Sequence, residues 1–282
     1  MEIAERTADL RRIVRVVRDE HRIIGLVPTM GALHEGHLSL VRRSKENDDF
    51  TVVSIFVNPA QFAPSEDFRR YPRAFEADLQ KCEESGIDLV FAPTTIEMYP
   101  QGFSTYVTVE GIAEALEGAS RPGHFRGVAT IVLKLFNLAR PHRAYFGLKD
   151  YQQLKVIEKM VRDLNLDVEI VPCPTVREPD GLALSSRNAY LGPAERRAAA
   201  VLYRALVAAR DAVAAGERDA EAVRSAALTV IQAEPLAEVD YAAVVDPETL
   251  QPVRRVEAPA LVALAVRIGA TRLVDNMLVG VE

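Results

Sequence analysis

Apolar and polar positions along this chain of 282 residues follow two alternating periods. Residues 7–20 carry Leu10, Ile13, Val14 and Val17 at helical spacing with arginines opposite, which predicts an amphipathic helix. The apolar run Ile23, Ile24, Leu26, Val27 predicts a strand over 23–27, and 36–46 reads as a second amphipathic helix. A β-branched run from Thr51 to Val57 predicts the next strand, which opens into the loop Asn58–Phe62. A helix over 74–85 stops at Gly86, a natural C-terminal cap, ahead of a strand at 88–91. Then come a helix over 125–139 ending before Pro141, a short strand at 144–146, a helix at 150–163 and a strand at 167–171. Strands alternating with helices of this length imply a parallel sheet covered on both faces. Ligands of such sheets bind beyond the carboxyl ends of the strands.

The pattern changes over 172–193, a stretch punctuated by Pro172, Pro174, Pro179, Gly181, Gly192 and Pro193. Two Ala-rich helices follow, over 194–215 and 218–233, then three strand-like runs at 238–245, 260–266 and 271–279. The expected fold class is α/β. A Rossmann-like parallel-sheet nucleotide-binding domain occupies 1–174, and a smaller C-terminal α+β lid domain over 175–282 packs over its ligand edge.

Composition narrows the classes. Apolar residues make up 49% and charged residues 26%, as in ordinary globular proteins. No apolar run approaches the ~18 residues of a membrane span, and the N-terminal residues Glu2, Glu5, Arg6 and Asp9 do not form a signal-peptide core. A net charge of −6 argues against broad nucleic-acid binding. Cys82 and Cys173 lack any Cys-x-x-Cys spacing, which points to a reducing, cytoplasmic setting without a disulfide framework.

Candidate chemistry concentrates in Val27-Pro28-Thr29-Met30-Gly31-Ala32-Leu33-His34-Glu35-Gly36-His37, where a buried strand turns through glycine into a helix. In that geometry backbone N–H groups and the positive helix end face an anion. The H-x-G-H pair resembles the signature of nucleotidyltransferases that activate substrates with ATP or CTP. An ordinary turn with two exposed histidines is the plain alternative, and a zinc site lacks a third ligand nearby. Neither G-x-G-x-x-G nor G-x-x-x-x-G-K-[ST] occurs, which excludes the dinucleotide and P-loop signatures.

Four further segments matter. Asn58 and Gln61, in the loop Asn58–Phe62, supply uncharged donors and acceptors for a small polar substrate, or form a simple turn. Arg121-Pro122-Gly123-His124-Phe125-Arg126-Gly127-Val128 opens a helix and is either part of the site or a solvated basic loop. In Phe146-Gly147-Leu148-Lys149-Asp150, Lys149 can meet a phosphate as a point charge, and Asp150 can accept from ribose hydroxyls or cap the helix. In Leu184-Ser185-Ser186-Arg187, two hydroxyls, backbone amides and an arginine make an anion clamp.

The strings PTMGALHEGH, FVNPAQF, YPR, RPGHFRGV, FGLKDYQQL and DGLALSSRN, in this order and spacing, resemble the pantoate–β-alanine ligase family, from about residue 20 to 190 and more loosely to the end. Leu148 departs from the charged residue that many relatives carry, with Lys149 and Asp150 retained beside it. The resemblance implies a two-step reaction. Pantoate and ATP give pantoyl adenylate and pyrophosphate; β-alanine then attacks the acyl carbon and releases AMP. It implies ATP contacts from Met30, Gly31, Ala32, Leu33, His34, Glu35, Gly36 and His37, from Gly147, Leu148, Lys149 and Asp150, and from Val176, Leu184, Ser185, Ser186 and Arg187. His37, His34, Lys149 and Arg187 form the expected catalytic set. Gln61 and Gln153 hold pantoate, with Asn58 and Tyr71 lining the pocket, and Asp78 is the expected Mg²⁺ contact or else a solvated helix carboxylate. A cytoplasmic homodimer without nucleic-acid or membrane partners completes the expectation.

Two other readings stand beside it. A nucleotidyltransferase leaving AMP or CMP on a phosphate-bearing substrate explains H-x-G-H equally well, but such a substrate would favour Arg or Lys at Gln61 and Gln153. A silent ATP-binding module would have been marked by loss of His37 or Lys149.

Overall fold

A three-residue strand that the apolar pattern does not announce, β1 (Glu2–Ala4), opens the chain in the computed structural model, which describes residues 1–63 and 66–280. Only Ala4 of it is buried, whereas Ile3 is 47% exposed, so no alternation marks it. The elements that follow are α1 (Thr7–Asp19), β2 (Ile24–Thr29), α2 (Glu35–Asn47), β3 (Phe50–Ile55), α3 (Phe75–Glu84) and β4 (Leu89–Phe91). After them come α4 (Thr95–Met98), α5 (Glu117–Ser120), α6 (His124–Ala139), β5 (Arg143–Gly147), α7 (Tyr151–Asp163) and β6 (Glu169–Cys173).

These strands form one six-stranded sheet in the order β1-β4-β3-β2-β5-β6, parallel throughout. Strand order reverses between β2 and β5, so the crevice beyond the carboxyl end of β2 is the switch point where such sheets take ligands. The H-x-G-H turn leaves the sheet there, the Asn58 loop leaves β3 beside it, and Gly147 ends β5 on the other side.

The helices are held by their apolar faces. Leu40 and Val41 of α2 and Cys82 of α3 join Val27, Val53 and Val90 in one buried cluster. Helix α1 buries Leu10, Ile13, Val14 and Val17, the stripe read from the sequence. Each such side chain contributes roughly 1.5–3 kcal/mol on burial. Helix α3 closes in a Schellman motif, with Gly86 N–H on Glu83 O at 3.0 Å, Ile87 N–H on Cys82 O at 3.1 Å, and φ of +66° at Gly86.

Contacts divide the chain into two units: Met1–Leu148 with Gln152–Pro174, and Lys149–Tyr151 with Thr175–Glu282. Three residues of the FGLKDYQQL string thus group with the second unit. That unit holds α8 (Pro193–Ala199), α9 (Val201–Ala214) and α10 (Ala220–Gln232), followed by the antiparallel strands β7 (Ala237–Val245), β8 (Ala260–Ile268) and β9 (Thr271–Val279) in the order β7-β8-β9. The single helix expected over 194–215 breaks at Ala200, between α8 and α9. Ala205, Ala209 and Ala227 are fully buried in this unit's core with Leu206, Val223 and Leu264, where small side chains let helix backbones approach closely.

Candidate active site

The turn after β2 is built by two successive left-handed residues, Gly31 at φ +80° and Ala32 at φ +49°. A non-glycine residue in that region is strained and needs support. Thr29 Oγ1 accepts from Gly31 N–H at 3.1 Å and donates to Ser54 O at 2.7 Å, tying the turn to β3. Asp78, 1% exposed, accepts from Ala32 N–H through Oδ2 and from Leu33 N–H through Oδ1, both at 2.7 Å. Lys81 Nζ donates to Leu33 O at 2.5 Å. The carboxylate lies in the first turn of α3, whose N-terminal dipole favours its charge.

This arrangement overturns one sequence expectation for Asp78, the solvated helix carboxylate: the side chain is buried and each oxygen accepts a backbone amide, so it braces the turn. Among the described residues no group of three or more His, Cys, Asp or Glu could form a metal cage.

The braced turn delivers His34 to the N-cap of α2 and His37 to its first turn. Their rings lie 4.1 Å apart between centroids at an interplanar angle of 31°. His34 N–H donates to His37 Nδ1 at 3.3 Å. A backbone N–H can only donate, so Nδ1 of the neutral ring accepts and the proton resides on Nε2. His37 is thereby set as an Nε2–H donor at a helix N-terminus, where negative charge is stabilised.

On the β3 side, Asn58 is buried and all four of its amide bonds are internal. Its Oδ1 accepts from Ala60 N–H at 3.2 Å and from the Tyr99 hydroxyl at 2.7 Å. Its Nδ2 donates to Gly127 O at 3.1 Å and to Gln61 Oε1 at 2.9 Å. The backbone partners fix which way the Asn58 amide faces. Gln61 must therefore turn Oε1 toward Asn58 and present Nε2–H, which lies 3.1 Å from Met30 Sδ. Asn58 thus orients Gln61, and Gln61 is a donor for an acceptor such as a carboxylate.

The Arg121–Val128 segment is not a solvated basic loop. Arg121 forms a paired bond with Glu66 at 2.9 and 2.7 Å and lies 3.8 Å from Glu117, with side chains less than one-fifth exposed. His124 is buried, its Nδ1 2.8 Å from Gln61 O and its Nε2 3.2 Å from Arg121. Burial, with the Arg121 charge adding to it, pushes the His124 pKa down to about 4. The ring is neutral near pH 7, and its Nδ1–H donates to the Gln61 carbonyl. A Cβ at Gly127 would fall 2.2 Å from Ala60 O, so only glycine lets α6 approach this loop.

Tyr71 is buried edge-on to Phe62 at 5.9 Å between ring centroids. Gln153 is half-buried on α7. Its neighbour Gln152 is the pinned one, with Nε2 donating to Ile112 O and Ala115 O and Oε1 accepting from Glu117 N–H.

In the second unit, Lys149 Nζ is 3.3 Å from Asp150 Oδ1, in the short 3₁₀ turn Leu148–Asp150 that precedes α7 in the chain. The strand-like stretch from Thr175 folds on itself: Leu184 N–H donates to Val176 O at 3.0 Å and Glu178 N–H to Leu182 O at 2.8 Å. Ser185 caps the short 3₁₀ turn Ser186–Tyr190, its Oγ accepting from Arg187 N–H at 3.3 Å. Asn188 Nδ2 closes the loop onto Ala183 O at 3.0 Å. Missed in the sequence were Tyr99, Asp275 and Asn276, which position the expected groups from distant segments and carry no local signature.

The sequence profile of the pantoate–β-alanine ligase family matches residues 2–278. The chain is 57% identical over 281 residues to the pantothenate synthetase of Acetivibrio thermocellus, covering 100% of both. Its structure superposes on that of pantothenate synthetase from Thermus thermophilus with a TM-score of 0.94, at 50% identity and covering 98% and 99% of the two chains. A ligase of the same kind from Francisella tularensis, solved with β-γ ATP and β-alanine, gives a TM-score of 0.83 at 35% identity, covering 99% and 97%.

Proposed function

The chain belongs to the pantoate–β-alanine ligase family, and on that premise we propose that it condenses pantoate with β-alanine at the expense of ATP, through pantoyl adenylate, to give pantothenate, AMP and pyrophosphate. The observation that carries this reading is the stacked His34–His37 pair at the N-terminus of α2, braced at the sheet's switch point.

The pantoate carboxylate is ionised near neutral pH, so the first step needs no strong base. One carboxylate oxygen attacks the α-phosphorus and the bond to the pyrophosphate oxygen breaks. Negative charge grows on the phosphate oxygens, and the His37 Nε2–H and the first-turn amides of α2 are donors already in place for it. Gln61 Nε2–H steadies the acid. Lys149, Asp150, Val176 and Leu184–Arg187 serve ATP on the strength of the sequence resemblance. Mg²⁺ carried by the nucleotide neutralises phosphate charge. In the second step the neutral amine of β-alanine attacks the acyl carbon, the acyl–oxygen bond breaks, and AMP leaves with that oxygen while the nitrogen sheds its proton.

Gln61 disfavours the nucleotidyltransferase alternative, because it offers one neutral donor where a phosphate-bearing substrate calls for cations. The same reading makes the protein a homodimer of the cytoplasm. Its support is the family resemblance and two buried free cysteines; no helix of the described residues is long and apolar enough to cross a membrane.

Product analysis with Mg-ATP, pantoate and β-alanine, each omitted in turn, tests the reaction. AMP and pantothenate should form only with all three present, and a final product that still carries the nucleotide when β-alanine is present would instead establish the nucleotidyltransferase.

A further inference from the structure

Two segments read as ATP contacts lie far apart in sequence, yet adjacent residues of β9 grip both. Asp275, buried to 3% exposure, accepts from Arg177 through both oxygens, Nη1 to Oδ2 at 2.6 Å and Nη2 to Oδ1 at 2.9 Å. Arg177 also donates to Gly181 O at 3.0 Å, joining the base of the 176–184 fold-back to its tip. The guanidinium sits 4.7 Å from the Tyr203 ring centre, and that ring leaves no space for a Cβ at Gly181, which would lie 1.9 Å away. This rigid fold-back runs straight into Leu184 and Ser185. Next along β9, Asn276 Nδ2 donates to Lys149 O at 2.7 Å, while Asn276 N–H donates to Asp275 Oδ1 at 2.8 Å. Strand β9 is itself fixed by pairing along its whole length with β8.

We propose that Asp275 and Asn276 are positioning residues that yoke the Lys149 turn to the Ser185–Arg187 loop, so that both phosphate-directed segments are held at one fixed spacing. The proposal rests on the reading of Lys149 and Ser185–Arg187 as ATP contacts. A bidentate carboxylate–guanidinium pair sets direction as well as distance, and the amide bond to Lys149 O fixes the peptide from which the ammonium projects. Neither β9 side chain needs to touch the nucleotide. Their effect is to hold the ATP-contacting groups in advance of binding, which lowers the ordering cost of the encounter.

The test compares full-length Asn276→Ala, Asn276→Asp and Lys149→Ala by steady-state kinetics, varying each substrate with the others saturating. Asn276→Ala should raise KM for ATP about five- to tenfold, the equivalent of one lost hydrogen bond, with KM for pantoate and β-alanine unchanged. Asn276→Asp keeps the shape but sets a carboxylate against the Lys149 carbonyl, so its effect on ATP should be larger, and it reports even if the alanine variant does not fold. A folded Asn276 variant with unchanged KM for ATP, or with all three KM values raised alike, overturns the yoke when Lys149→Ala does raise KM for ATP. An unchanged KM for ATP in Lys149→Ala overturns the reading of Lys149 beneath it, and the yoke with it.

Discussion

Asn58 and Gln61 are joined amide to amide, Nδ2 to Oε1 at 2.9 Å, and the direction of that bond is dictated by backbone groups on Asn58's other atoms. A side chain three residues away thus decides that Gln61 offers a donor to whatever lies in front of it. Replacing Asn58 by Asp removes the donor and faces Gln61 Oε1 with a carboxylate oxygen, which turns the Gln61 amide round. Asn58→Asp should therefore raise KM for pantoate at least about tenfold and cost roughly 1–3 kcal/mol of stability from the unpaired Gly127 carbonyl. Substrate kinetics and urea unfolding measure the two effects separately.

Asp78 supports the turn through both oxygens. In Asp78→Asn one oxygen becomes an NH₂ group facing a backbone N–H. A loss of roughly 1–3 kcal/mol in stability is expected, together with a lower kcat as the strained Ala32 and the histidines lose their placement. The Mg²⁺ concentration for half-maximal activity should stay where it is in the unmodified protein. A large shift in that concentration would make Asp78 a metal ligand after all.

His124 gives a pH signature. Its folded pKa is depressed to about 4 by burial and by Arg121, while the unfolded value is about 6.5. Above about pH 6.5 the ring is neutral in both states and imposes no penalty. As pH falls from there toward 4, the unfolded chain takes up a proton that the native state refuses, and stability is lost over that window. The full difference is on the order of 3 kcal/mol. His124→Asn should flatten this part of the stability–pH curve, measured by urea midpoints between pH 7 and 4.5.

His37 is set as an Nε2–H donor by the amide of His34. His37→Ala should lower kcat by about 10²–10³, the typical worth of one charge-stabilising donor, with the melting temperature little changed. Near-normal turnover in a folded variant would remove His37 from the chemistry.

The larger outline was legible because its signals are local. The strand–glycine–helix passage at Met30–His37, the amphipathic stripe of α1 and the Gly86 cap are each contained in a dozen residues. The supports were not legible because they come from elsewhere in the chain. Asp78 meets Ala32 across 46 residues, Tyr99 meets Asn58 across 41, and Asn276 meets Lys149 across 127. Strand β1 was missed because only one of its three residues is buried. The α8–α9 break was missed because an unbroken Ala-rich pattern gives no cue at Ala200. The choice between a site role and a solvated basic loop stayed open at Arg121 because the sequence does not show that Glu66 waits opposite it.

The path of a single oxygen atom decides the chemistry. Pantoate labelled with ¹⁸O in its carboxylate, incubated with Mg-ATP, β-alanine and the purified protein, should deliver one labelled oxygen to the phosphate of AMP, because adenylation joins that oxygen to phosphorus and amide formation breaks its bond to carbon. Unlabelled AMP alongside pantothenate, or label recovered in inorganic phosphate with ADP, would contradict a pantoyl-adenylate route.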